Sequence, residues 1–174
     1  MGKMRRKNRK IWIARFALTL ACAFVFAWIF SNSLKTGAES SAQSHAVTNA
    51  VQSVAQSVAP SSSVATAKGK AYENLHNVIR KIAHFSEFAL LGALLIWCYL
   101  SYTKDKAFCV LPFGLILLTP IVDECLQTFT GGRGAELADV FLDTVGGFLG
   151  ALVALLAVWA VRKILQRKKR KGAR

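Results

Sequence analysis

The chain has 174 residues, 53% of them hydrophobic, and carries a formal net charge of +14. A basic soluble protein would suggest a nucleic-acid partner. Here the Lys and Arg residues lie between long apolar runs, which argues against a soluble nucleic-acid binder and points to the membrane.

Residues 1–10 (MGKMRRKNRK) form a basic N-terminus with six Lys/Arg. A hydrocarbon core about 30 Å thick takes roughly 20 apolar helical residues, and residues 11–30 (IWIARFALTLACAFVFAWIF) supply a first span. That run is longer than a signal-peptide core of about 7–15 residues, and Thr19-Leu20-Ala21-Cys22 fits a lipoprotein cleavage box poorly. An uncut anchor is therefore expected, with Arg15 snorkelling to the headgroups. Residues 31–71 are rich in Ser, Ala, Gln and Val and broken by Pro60 and three serines. Val47, Val51, Val54 and Val58 recur at helical spacing, but the stripe is narrow and lacks an aromatic anchor. A mobile extracytoplasmic loop, partly helical by propensity, is expected over an interfacial helix.

Residues 72–81 read as helical and lead into a second span over 82–102. Further spans follow over 107–128 and 137–161, and residues 162–174 are a basic tail. Pro112, Gly114 and Pro120 would break a soluble helix but are tolerated in a spanning one. Cys22, Cys98, Cys109 and Cys125 all lie in apolar spans without metal spacing, and no disulfide is expected. The expected fold is all-α: an integral membrane four-helix bundle over residues 11–161, with a Ser/Ala-rich extracytoplasmic loop between its first two helices. Six Lys/Arg at the N-terminus, Lys104 and Lys106, and eight in the tail fall on one side, sixteen against six on the other. The positive-inside rule then puts both termini in the cytoplasm of a multi-pass cell-membrane protein.

With that topology, His84 and Glu87 enter from outside on span two. Asp123, Glu124 and Gln127 lie in the last turns of span three. Arg133 sits in the outer hairpin, and Asp139 and Asp143 begin span four. Helical spacing groups Lys81, His84 and Glu87, then Asp123 and Gln127, then Asp139 and Asp143 on shared faces. Intramembrane charges cost several kcal/mol and mark polar cavities or paired networks. Five carboxylates (Glu87, Asp123, Glu124, Asp139, Asp143) outnumber the cations Lys81 and Arg133, which favours a polar pocket over a pure ion-pair lock. His84 and the carboxylates are metal-ligating types, but their spacing matches no metal motif and the cluster has one histidine, so no metal or other cofactor is expected. His84, Glu87, Asp123 and Glu124 are the candidates should the site do acid–base chemistry. Gly146 and Gly150 form a GxxxG spacing. Packing within the chain is the plainer expectation for them, homo-oligomerisation the sharper one.

These residues resemble the VanZ-like family of small bacterial membrane proteins. One block runs from Arg80-Lys81 through His84-Phe85 and Glu87-Phe88 to Leu91-Gly92. The other holds Asp123-Glu124, Gln127 and Phe129, then Gly132-Arg133, Asp139-Val140, Asp143, Gly146 and Gly150. Leu126 and Gly131 depart from the pattern, standing where many relatives carry His and Pro. The resemblance implies a helical membrane protein of the Gram-positive cell envelope, with a namesake linked to low-level teicoplanin resistance. The resulting expectation is an outer-leaflet site for a lipid headgroup, a lipid-linked cell-wall precursor or a lipoglycopeptide. The alternatives are a membrane-embedded enzyme acting on such a headgroup and a non-catalytic scaffold.

Overall fold

Apolar segments away from water must satisfy their backbone groups internally, and helices do so within one segment. The computed structural model describes residues 2–103, 110–130, 134 and 136–171, and in it the chain forms five helices. These are α1 (Gly2–Ser33), α2 (Gly37–Val58), α3 (Lys70–Tyr102), α4 (Val110–Thr128) and α5 (Leu137–Lys171). All but α2 contain a stretch long and apolar enough to cross a membrane. Their outward faces carry Trp12, Phe16, Phe24, Leu118, Phe141 and Leu152, an exposed apolar surface suited to lipid rather than water.

The Ser/Ala-rich segment corrects an expectation. Residues 37–58 of it form one continuous 22-residue helix, more regular than the partly helical loop expected. Thr36 and Glu39 start it with a capping box: the Thr36 hydroxyl accepts from the Glu39 N–H, and Glu39 Oε2 accepts from the Thr36 N–H at 2.9 Å. Two otherwise unpaired groups are thereby satisfied. The helix does not bury its valines, since Val47, Val51, Val54 and Val58 are exposed. It packs through small and polar side chains instead, with Thr48 fully buried. The following segment folds back on it, because Gln52 Nε2 donates to the Ala67 carbonyl at 2.8 Å and Gln56 Nε2 to the Ala65 carbonyl at 3.1 Å.

The segment at 72–81 is helical and continuous with the second span, as its sequence indicates. Within α4, Pro120 cannot donate to the preceding turn. One residue earlier, the Thr119 hydroxyl donates to the Leu115 carbonyl at 2.6 Å. The core gathers Val25 and Ile29 of α1, Phe88, Leu91, Leu95 and Ile96 of α3, Ile116 of α4, and Ala151 and Ala154 of α5. Cys22, Cys98 and Cys125 are free thiols, and Cys109 lies outside the described residues. Arg15 makes contacts across the bundle. Its Nε donates to the Ser101 carbonyl at 2.9 Å, and its guanidinium lies 5.1 Å from the Tyr102 ring centre, pinning the start of α1 to the end of α3.

The closest helix contact is between α3 and α5, and glycines make it possible. A Cβ at Gly150 would lie 1.8 Å from the Ala89 carbonyl oxygen, one at Gly146 would lie 2.6 Å from that of Phe85, and one at Gly92 would lie 2.0 Å from that of Gly147. Gly146 and Gly150 therefore pack within the chain, the plainer of their two expected roles.

Alanine at Gly150 is expected to lower thermal stability despite its better helix propensity. Overpacking costs about 1–3 kcal/mol or more, against about 1 kcal/mol gained from propensity. Gly114→Ala enters open space and should be neutral or stabilising; thermal unfolding of the detergent-solubilised variants checks the pair. Thr36→Ala should raise amide exchange in the first turns of α2, consistent with a cap worth about 1 kcal/mol. Hydrogen bonds from Thr36 hold the Glu39 carboxyl below its ordinary value of 4.5. A depressed carboxyl stabilises above its unfolded pKa and loses that contribution as pH falls through the folded one. The exchange difference between Thr36→Ala and the native protein should therefore shrink as pH is lowered below 4.5.

Candidate functional site

At one end of the bundle α1 and α4 finish, α5 begins and α3 runs past them, so side chains from all four helices meet at one level. Asp123 (1% exposed), Glu124 (6%) and Gln127 (8%) come from α4, and Asp143 (4%) from α5. α3 contributes the half-buried His84 and Glu87 and the exposed Lys81.

Buried carboxylates need donors, and the neighbouring helices supply them. Asp123 Oδ1 accepts from the Ser33 hydroxyl of α1, and its Oδ2 accepts from Gln127 Nε2 at 2.9 Å. Glu124 Oε1 accepts from the backbone N–H of Glu136. Glu136 directly precedes α5, where a negative charge also complements the helix dipole. Glu87 turns toward α1, where its Oε1 accepts from Trp28 Nε1 at 3.0 Å and Asn32 Nδ2 at 3.4 Å. Lys81 Nζ lies 3.5 Å from Asp139 Oδ1 in the first turn of α5.

Asp143 Oδ1 is buried without a hydrogen-bond partner, as is Asp139 Oδ1, which faces the Lys81 ammonium. His84, Asp123 and Asp143 each place one potential ligand atom within 4.8 Å of the other two. An imidazole and two carboxylates at that separation can share a proton, contact a protonated amine or bind a divalent cation. The spacing along the chain gave no metal motif, yet folding brings these three together from three helices. Beside them, a cavity of about 90 Å³ opens between Asn32 of α1, Ser40, Gln43 and Ser44 of α2, and Arg80, His84 and Glu87 of α3. That volume is roughly three waters or one small polar group.

Lys81, His84, Glu87, Asp123, Glu124, Gln127, Asp139 and Asp143 thus all lie at this end. Arg133, expected in the same cluster, lies outside the described residues. Sequence reading missed the donors Trp28, Asn32 and Ser33, which the last turn and a half of α1 puts at the level of Asp123. It also missed the polar wall from α2, which the Thr36/Glu39 capping box could have revealed.

Ser33→Ala removes a donor to a buried carboxylate. A loss of about 1.5–3 kcal/mol is expected, read as a lower unfolding temperature in detergent. Trp28→Phe, at a half-exposed bond, should cost less.

No curated protein and no solved structure matches the chain. The family model described as VanZ/LLP1 matches residues 16–159, a stretch that runs from α1 to α5 and takes in every residue of this site. Four membrane-length helices and that match across most of the sequence make the chain a membrane protein of the VanZ/LLP1 family.

Proposed function

We propose that the buried polar site binds the headgroup of an envelope lipid, a lipid-linked cell-wall precursor or a lipoglycopeptide, and that its occupancy alters susceptibility to teicoplanin-type glycopeptides. The observation that carries this reading is Asp143, a buried carboxylate with an oxygen lacking a hydrogen-bond partner, grouped with His84 and Asp123. A pure lock would satisfy that oxygen, because leaving a buried acceptor unmade costs about 1–3 kcal/mol or more. The excess of carboxylates over cations selects a positively charged group, and a protonated amine is the chemistry such headgroups can share. The adjoining cavity has room for one small polar group. The distribution of Lys and Arg supports an orientation with both termini in the cytoplasm, which turns the site toward the outer leaflet.

A second reading is a membrane-embedded enzyme acting on the same headgroup, favoured by the mutual proximity of His84, Asp123 and Asp143. There His84 would serve as general base or the three would hold a divalent ion.

Asp143→Asn and His84→Ala are expected to accumulate normally and unfold at the native temperature, yet abolish the effect on teicoplanin susceptibility. Retention of the phenotype in both variants sinks the binding site. A joint fall in abundance with Asp123→Asn would make the network a lock. Turnover of a headgroup by purified protein, lost in His84→Ala, would promote the enzyme.

A further inference from the structure

A second cluster of ligand-type side chains lies away from the buried site, where α2 rests on the first turns of α3. Glu73 and His76 are three residues apart on α3 and share a face. His45 reaches them from α2. The His45 and His76 rings stack at 4.0 Å with 7° between their planes. His45, Glu73 and His76 each offer a ligand atom within 4.8 Å of the others.

Two observations point to an ion rather than a stacked histidine pair. His76 is 7% exposed, and its Nε2 is buried with no hydrogen-bond partner. A structural histidine normally satisfies such an atom, because leaving it unpaired costs free energy. The second observation is the tautomer of His45. Its Nδ1 lies 3.2 Å from the Tyr72 hydroxyl, which spends its own proton on Asn49 Oδ1 at 2.7 Å. The hydroxyl therefore accepts from His45 Nδ1–H, leaving the lone pair on Nε2. That is how an outer hydrogen bond orients a metal-ligating histidine.

We propose that His45, Glu73 and His76 form a zinc-class metal site that ties α2 to α3. Two imidazoles and one carboxylate suit Zn²⁺ better than Mg²⁺ or Ca²⁺, which prefer oxygen. Bonds of about 2.0–2.2 Å in a tetrahedron set ligand atoms about 3.4 Å apart. Imidazole lone pairs lie in the ring plane, so binding needs the two stacked rings to splay from parallel and the exposed Glu73 side chain to rotate toward them. Arg80, one helical turn past His76, adds a positive charge, so the Glu73 carboxylate is needed to offset it. A fourth position remains for water. The site shares no residue with the His84–Asp123–Asp143 group and does not depend on the function proposed there.

The test is zinc binding to full-length protein in detergent after chelator treatment, followed by calorimetry and by the visible bands of Co²⁺ in its place. One equivalent is expected, with the spectrum of a four-coordinate nitrogen- and oxygen-ligated ion. His45→Ala and His76→Ala should abolish it. Tyr72→Phe should weaken it about 10–100-fold by freeing the His45 ring, and serves as the readout should an alanine variant fail to fold. His84→Ala should leave it unchanged. The proposal is overturned if His84→Ala protein takes up no zinc, or if uptake by His84→Ala protein survives the added His45→Ala and His76→Ala substitutions.

Discussion

Carboxylates buried in an apolar bundle must be supplied with donors, and that requirement organises one end of this protein. Asp123, Glu124 and Asp143 are each less than a tenth exposed, where an uncompensated charge costs several kcal/mol. The donors come from different helices: the Ser33 hydroxyl from α1, Gln127 from α4 itself, and the N–H of Glu136 at the start of α5. Lys81 joins α3 to Asp139 by an ion pair. The Ser33, Glu136 and Lys81 contacts each fix the height of one helix against another, so these polar groups act as cross-links while they line the site. Lock and pocket are therefore not alternatives residue by residue. Glu87, Asp123 and Glu124 carry much of the locking, while Asp143 Oδ1 and Asp139 Oδ1 are left without hydrogen bonds.

The glycine seam makes that arrangement possible. Gly146 lies against the Phe85 carbonyl and Gly150 against that of Ala89. These two contacts, one turn apart on each helix, set the register of α5 on α3. Asp143 is one turn before Gly146 and His84 directly precedes Phe85, so the same register brings His84 and Asp143 together. Any side chain at these glycines would part the helices and widen the His84–Asp143 separation before it touched the polar cluster itself.

Depth was readable in the sequence and azimuth was not. The spans and their polar ends placed Asp123, Asp139 and His84 at one level, because a helix advances a fixed rise per residue. Which of them would face one another depends on helix rotation, set here by glycine contacts whose partners a single sequence does not name. Hence Glu87, expected among the carboxylates, turns to Trp28 and Asn32 instead. The failure over α2 has a different cause. Its valines suggested a weak apolar stripe, but the helix is held by a polar cap, by glutamines bonding carbonyls of the returning chain, and by a buried threonine. A hydrophobic-periodicity reading is blind to packing of that kind.

The position of α2 bears on how anything reaches the buried site. Ser40, Gln43 and Ser44 form one wall of the cavity whose opposite side carries His84 and Glu87. His84 thus stands at a junction: it lines the cavity and also belongs to the group with Asp123 and Asp143. It connects the cavity to the two aspartates, while the Asn32–Glu87 cross-link lines the same cavity. Whatever holds α2 in place, from its Thr36 cap to the contacts of His45 with Tyr72 and His76, therefore also shapes the space in front of His84. The segment expected as a partly helical, serine-rich loop supplies, in the folded chain, one wall of the cavity in front of His84.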